Sequence, residues 1–305
     1  MEFGKVSAEE IQSINFTLPG DGQQTLKVLN GTPVKGLGVF VGGAKWGLPE
    51  WVNFLYPPKT KAADFLSEYA AQLNSIELNA AYYKIPTVET VRKWKEQATG
   101  RAKGQFLFCP KFPDSISHYK RLKGVERITD DFLTSVVEFE ETLGPCFLQL
   151  SDNFKPDNLP SLDEFLQSLP KDLNVFVELR NKEWFADLKI RKTVFELLAA
   201  QKKGAIITDV SGRRDALHME VTIPEVFVRF VGNGVAHREH NFARIDAWAE
   251  RLATWQQRGL KKVYFFLHQQ DERESVVMAD YAIKAFNKTL GSNIPEINLP
   301  DDLFS

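Results

Sequence analysis

Cysteine is scarce in this chain. There are two in 305 residues, Cys109 and Cys146, each inside an apolar run. Two such residues give no disulfide framework and read as buried, reduced thiols. Charge of one sign is also lacking. The formal net charge is -2, so no global basic field draws nucleic acid or an anionic membrane, although a local patch stays open. No window approaches the roughly 20 apolar residues of a membrane span. The opening MEFGKVSAEEIQSINF has no apolar core of signal-peptide length. A soluble, cytoplasmic protein is expected. No GxGxxG follows a strand and no GxSxG elbow occurs, which argues against a dinucleotide fold and a serine-hydrolase nucleophile.

What is present is a rhythm. GVFVGGA (38–44), SIELN (75–79), QFLFC (105–109), CFLQL (146–150), VFVEL (175–179), AIITD (205–209), VFVRF (226–230) and VYFFL (263–267) are short runs of β-branched and aromatic residues. Their starts lie about 30 residues apart, the length of a strand, a helix and two loops. Helical periodicity fills most gaps, as over 62–73, 87–98, 130–143, 190–203, 241–258 and 274–290. Thr87 suits an N-cap, and Ser161 with Glu164 suits a capping box for a helix over 161–169. The stretch between the sixth and seventh runs reads as a long loop. The expected fold is α/β: a single (β/α)₈ TIM-like barrel over 37–291, with an N-terminal extension over 1–36 and a tail over 292–305. An open doubly wound sheet is the alternative.

Alternation splits each strand into two faces. One face is apolar throughout. The other is apolar early and polar at its C-terminal end, where Glu77, Asn79, Lys111, Gln149, Glu178, Arg180, Arg229 and His268 fall. Asp209 ends its strand on the face of Ile207. In a barrel these ends form one mouth, where barrel enzymes build their sites. Glu77, Glu178 and Asp209 are the candidate acids or bases. Lys111, Arg180 and Arg229, with His118 from the following loop, are candidates for holding an anion. Trp46, Tyr82 and Trp184 follow strands and could wall a pocket, together with Asn79, Gln149 and His268. The rival reading of the same residues is a structural plug of Glu–Arg and Asp–Arg pairs. His237 and His240 lie three apart, but the strand ends supply too few metal ligands. No metal or other cofactor is expected.

Longer stretches carry a resemblance. VGGAKWGLPEWVNFLYP (41–57), SIELNAAYYKIPTVETVRKW (75–94), FLFCPKFPDSISHYKRL (106–122), LGPCFLQLSDNF (143–154), VELRNKEW (177–184), FVRFVGNG (227–234) and VYFFLHQQ (263–270) together resemble the YecE-like family, domain of unknown function 72. The resemblance spans all but the N-terminal extension and C-terminal tail. It implies a TIM-like barrel and no particular reaction. Three places depart from the family pattern. Asn181 follows Arg180 where a histidine is usual, the usual Arg-x-His-Gly appears as Arg229, Phe230, Val231, Gly232, and His268 and Gln269 replace paired asparagines. The expectation is a metal-independent enzyme acting on a small anionic or polar molecule. A non-catalytic anion-binding protein and a metal-dependent nuclease- or isomerase-like barrel are the alternatives.

Overall fold

The computed structural model describes residues 4–269 and 271–299. All eight expected strands form. They are β1 (Gly38–Gly43), β2 (Ser75–Leu78), β3 (Leu107–Pro110), β4 (Cys146–Gln149), β5 (Val175–Glu178), β6 (Gly204–Asp209), β7 (Glu225–Val231) and β8 (Lys262–His268). Every ladder is parallel, and the order is β3-β2-β1-β8-β7-β6-β5-β4. The two ends of that order meet through isolated bridges, Phe108 with Leu143 and Lys111 with Phe147. Gly144 N–H donates to Phe108 O at 2.7 Å and Phe112 N–H to Phe147 O at 3.0 Å. The result is a nearly closed TIM-like barrel with one lightly bonded seam.

The side-chain period of two builds two separate apolar layers. Phe40, Leu107, Phe147, Phe176, Phe227 and Phe266 belong to a small cluster inside the barrel. Phe227 lies at its centre, with ring centroids 4.8 Å from Phe266 and 5.5 Å from Phe147. The opposite parity, including Val41, Ile76, Phe108, Leu148, Val177 and Ile207, joins the much larger layer beneath the helices. The interior is therefore a packed aromatic floor, and polar side chains are left for the C-terminal rim.

Helices follow the expected periodicities with shifted ends. Thr87 caps Val88–Thr99, accepting from Thr90 N–H. The capping box at Ser161 does not form. Asn158 precedes a helix spanning Leu159–Ser168, because Pro160 fits the first turn and moves the start upstream. The N-terminal extension is docked. Helix Gln23–Val28 follows Asp21, whose carboxylate receives Arg258 at 2.6 Å and Trp255 Nε1–H at 2.9 Å. Thr25 Oγ1 donates to Met219 O at 2.7 Å, and Leu29 is buried. Beyond the last helix, Glu272–Leu290, Ile294 and Ile297 return to the outer core. The remainder of the expected tail, 300–305, lies outside the described residues.

Candidate functional site

Above the aromatic floor, one guanidinium joins two carboxylates. Arg229 points inward from β7, two residues beyond Phe227. Its Nε and Nη2 donate to the two oxygens of Glu77 at 2.9 and 2.8 Å. Its Nη1 reaches both oxygens of Glu178 at 3.0 and 2.8 Å. The three side chains are 3%, 0% and 1% exposed. Glu178 also receives Thr208 Oγ1–H at 2.8 Å and the Gln149 carboxamide. Glu77 also receives Asn79 Nδ2–H at 3.1 Å, and His268 Nε2 lies 3.1 Å from its Oε2.

Burial opposes ionisation of both carboxyls, but the cations win. Arg180 and Arg229, helped by Gln149 and Thr208, outweigh desolvation and hold Glu178 at about 2. Arg229 and His268 outweigh it at Glu77, which sits well below the usual carboxylate range. Their charge in turn overcomes the desolvation of Arg229, whose pKa rises. The arrangement is an ionised Glu–Arg–Glu brace, and each carboxylate is a weak proton acceptor.

Toward the rim stand groups with more freedom. Lys111 Nζ donates to Gln149 Oε1 at 2.8 Å and sits 3.8 Å from the centre of the Tyr82 ring. Burial, then repulsion by Arg229, brings its ammonium down to about 8, against the pull of Glu77 and Glu178. His118 packs edge-on to Tyr82 at 5.4 Å, and burial with Lys111 and Arg180 lowers its pKa. Arg180 reaches Glu178 at 3.5 Å and is 14% exposed. Lys111 and Arg180 thus form a cationic arc beside Tyr82, with His118 next to them as an imidazole whose charged form is disfavoured. Arg229, expected in the same role, has its guanidinium committed to Glu77 and Glu178.

Three other candidates are not brought to this mouth. Asp209 faces outward with Ile207, under helix Arg238–Gln256. It pairs with Arg244 at 2.8 Å and accepts Trp248 Nε1–H at 2.9 Å. Burial opposes its ionisation, but Arg244 and Arg214 prevail and its pKa is lowered. Trp184 is fully buried, donating to Phe154 O at 2.8 Å. Trp46 packs edge-on against Trp94 at 5.4 Å, over the outer core. Asn181, at the first departure, donates to Asp152 O and caps Glu183 N–H. Among the described residues no three His, Cys, Asp or Glu side chains gather as a metal-holding group. Nor, among them, is any helix long and apolar enough to cross a membrane.

Two features were missed. Thr208 is the inward residue of β6, and parity alone could have found it beside Asp209. A cavity of about 260 Å³ lies against the ends of β6–β8, roofed by residues 4–11, and His268 and Gln269 line it. Nothing in the sequence signals it, because its walls come from segments more than 200 residues apart.

Fold and rim together define a TIM-like barrel with a polar C-terminal mouth of the kind that houses small-molecule sites. The sequence profile described as "Protein of unknown function DUF72" matches residues 40–299, and the chain belongs to that family. UPF0759 protein YecE from Escherichia coli (strain K12) is 29% identical over 277 residues, covering 85% of this chain and 95% of that one. The protein of the same description from Escherichia coli O157:H7 gives the same values. A crystal structure of a DUF72 family protein from Enterococcus faecalis V583 superposes with a TM-score of 0.64 at 21% identity, covering 84% of this chain and 99% of that one. A second structure of that protein gives 0.63 at 22% identity. These structures share the barrel fold.

Proposed function

We propose that the protein is a metal-independent acid/base enzyme for a small anionic molecule bound at the barrel mouth. The observation that carries this reading is the Glu77–His268 contact of 3.1 Å at the edge of an open cavity. Glu77 is ionised, so its oxygen accepts Nε2–H and Nδ1 becomes the acceptor of the ring. A carboxylate that fixes the tautomer of a histidine is a recurring general-base device. His268 then takes the proton, and Glu77 positions it. This moves the base away from Glu77 and Glu178, whose ionisation is locked by Arg229. Lys111 and Arg180 hold the negative charge of the substrate.

In the proposed step, a substrate O–H or activated C–H gives its proton to His268 Nδ1. The electron pair stays on the substrate, either as an alkoxide or as an enolate stabilised by Lys111, and no other bond changes in this step. A turnover screen over phosphate esters, lactones and oxo acids tests the reading. Activity that disappears in His268→Ala while folding is kept supports it. Activity that survives in that variant refutes the assignment of the base. A non-catalytic anion-binding protein is the second reading, favoured by the complete pairing of Arg229. It predicts anion binding with no turnover in any arm of the screen.

A further inference from the structure

We propose that the cavity beneath the N-terminal segment is a binding site for a small carboxylate with a short, branched aliphatic body. The site is separate from the arc of Lys111 and Arg180. It shares His268 with the proton-transfer reading, but it is tested apart from it, because occupancy is measured without turnover.

The cavity has a volume of about 260 Å³, room for a ligand of a few carbon atoms. Its walls are largely aliphatic, from Val6, Ile11, Val210, Val231 and Val235. Among the described residues no Asp or Glu lines it.

The lining carries buried polar atoms that are unmet. Gln269 is 8% exposed. Its Oε1 accepts Gly234 N–H at 3.1 Å, which fixes the orientation of the carboxamide. Its Nε2 is consequently a donor, buried and without a partner among the described residues. His237 Nε2 is also buried and without a partner among the described residues, and it donates in the tautomer that carries its proton there. A buried donor left unmet is unfavourable, so the Gln269 amide favours a ligand that brings an acceptor oxygen. An amide donor, a ring nitrogen able to donate and aliphatic walls together suit a carboxylate head on a short apolar body.

The surrounding backbone is shaped for that carboxamide. A Cβ on Gly232 would lie 1.9 Å from Gln269 Nε2, so only glycine leaves the amide where it is. The roof is held as well. Gly212 N–H donates to Gly4 O at 2.8 Å, and Gly4 adopts a left-handed φ of 67°. The residues of the roof precede the segment matched by the family profile, which begins at residue 40. The proposed site therefore combines a barrel rim that lies within the family match with a cover that lies outside it.

Calorimetric titration of the full chain tests this with isobutyrate, isovalerate, isobutylamine and inorganic phosphate. The two branched carboxylates should bind and the amine should not. Gln269→Leu and Gly232→Ala should each weaken carboxylate binding about tenfold or more. Arg180→Leu should leave carboxylate affinity unchanged and weaken phosphate. Gln269→Glu, which preserves size and adds a like charge, should abolish carboxylate binding and admit the amine. Circular dichroism identifies variants that fold, and the charge-swapped variant serves if Gln269→Leu does not. The proposal is overturned if no carboxylate binds, if the amine binds wild type equally well, or if folded Gln269 variants bind as wild type does.

Discussion

Arg229 Nη1 lies 2.8 Å from Glu178 Oε2, while the opposite edge of the same guanidinium holds Glu77. One side chain therefore links the second, fifth and seventh strands across the barrel. Removing it strands two buried carboxylates. Arg229→Met should cost about 3–5 kcal/mol, the usual effect of breaking a buried pair from one side. The triple variant Arg229→Met, Glu77→Gln, Glu178→Gln should recover much of that loss. Urea midpoints of the three proteins measure both effects. A single variant as stable as wild type would show that the brace adds nothing to stability.

A second expectation concerns acid. His218 is buried between helix and sheet, with Nε2 against Ile206 O at 3.0 Å and Nδ1 accepting Glu220 N–H at 3.0 Å. Burial pushes it down from 6.5 to about 3. Such a group binds its proton more weakly when folded, so its full contribution is present above pH 6.5 and falls away toward about pH 3. By pH 5 the loss should be about 2 kcal/mol. Urea titrations at neutral and mildly acidic pH should show it, and His218→Asn should flatten that limb while lowering stability at neutrality.

Anion binding should carry an alkaline limb. The Lys111 ammonium is down at about 8, so its charge fades above that pH while Arg180 keeps its own. Phosphate affinity, followed by calorimetry, should weaken as pH rises through this value. Lys111→Met should bind more weakly at neutral pH and lose the alkaline limb. An unchanged profile in that variant would remove Lys111 from the anion site.

Asp209 offers a control of the opposite kind. It braces helix Arg238–Gln256 through Arg244 and Trp248, away from the rim. Asp209→Asn should lower the urea midpoint and leave phosphate affinity intact in the folded protein. Loss of phosphate binding without loss of stability would return Asp209 to the site.

The strands were legible because alternation and spacing are local properties. Parity placed Glu77, Glu178, Arg229 and His268 on the inner face, and the brace follows from that placement. The same rule puts Asp209 outside and Thr208 inside. There the pull of a charged residue type at a strand end prevailed over the rule. Trp184 was misplaced for a different reason. Aromatic residues after strands suit a pocket wall and a loop core equally, and only Phe154 O, 30 residues away, decides between them. The role of Arg229 was also hidden. Spacing brings cations and carboxylates together, but only three-dimensional geometry shows which cation is already satisfied. The cavity under residues 4–11 depends on long-range closure, which no local pattern encodes.

The seam between β3 and β4 has a mechanical meaning. Elsewhere around the wall each strand is stitched to its neighbours by a ladder, whereas here the joint rests on isolated bridges. One of them is formed by Lys111 with Phe147. The least bonded line of the cylinder thus passes through the backbone of Lys111, whose ammonium is brought down to about 8. Slow breathing of that joint would swing the ammonium relative to Gln149 and Tyr82, and a bound anion would act as a clasp. Amide exchange along 107–112 and 146–149 should accordingly slow on saturation with phosphate, while the β7–β8 ladder stays protected throughout.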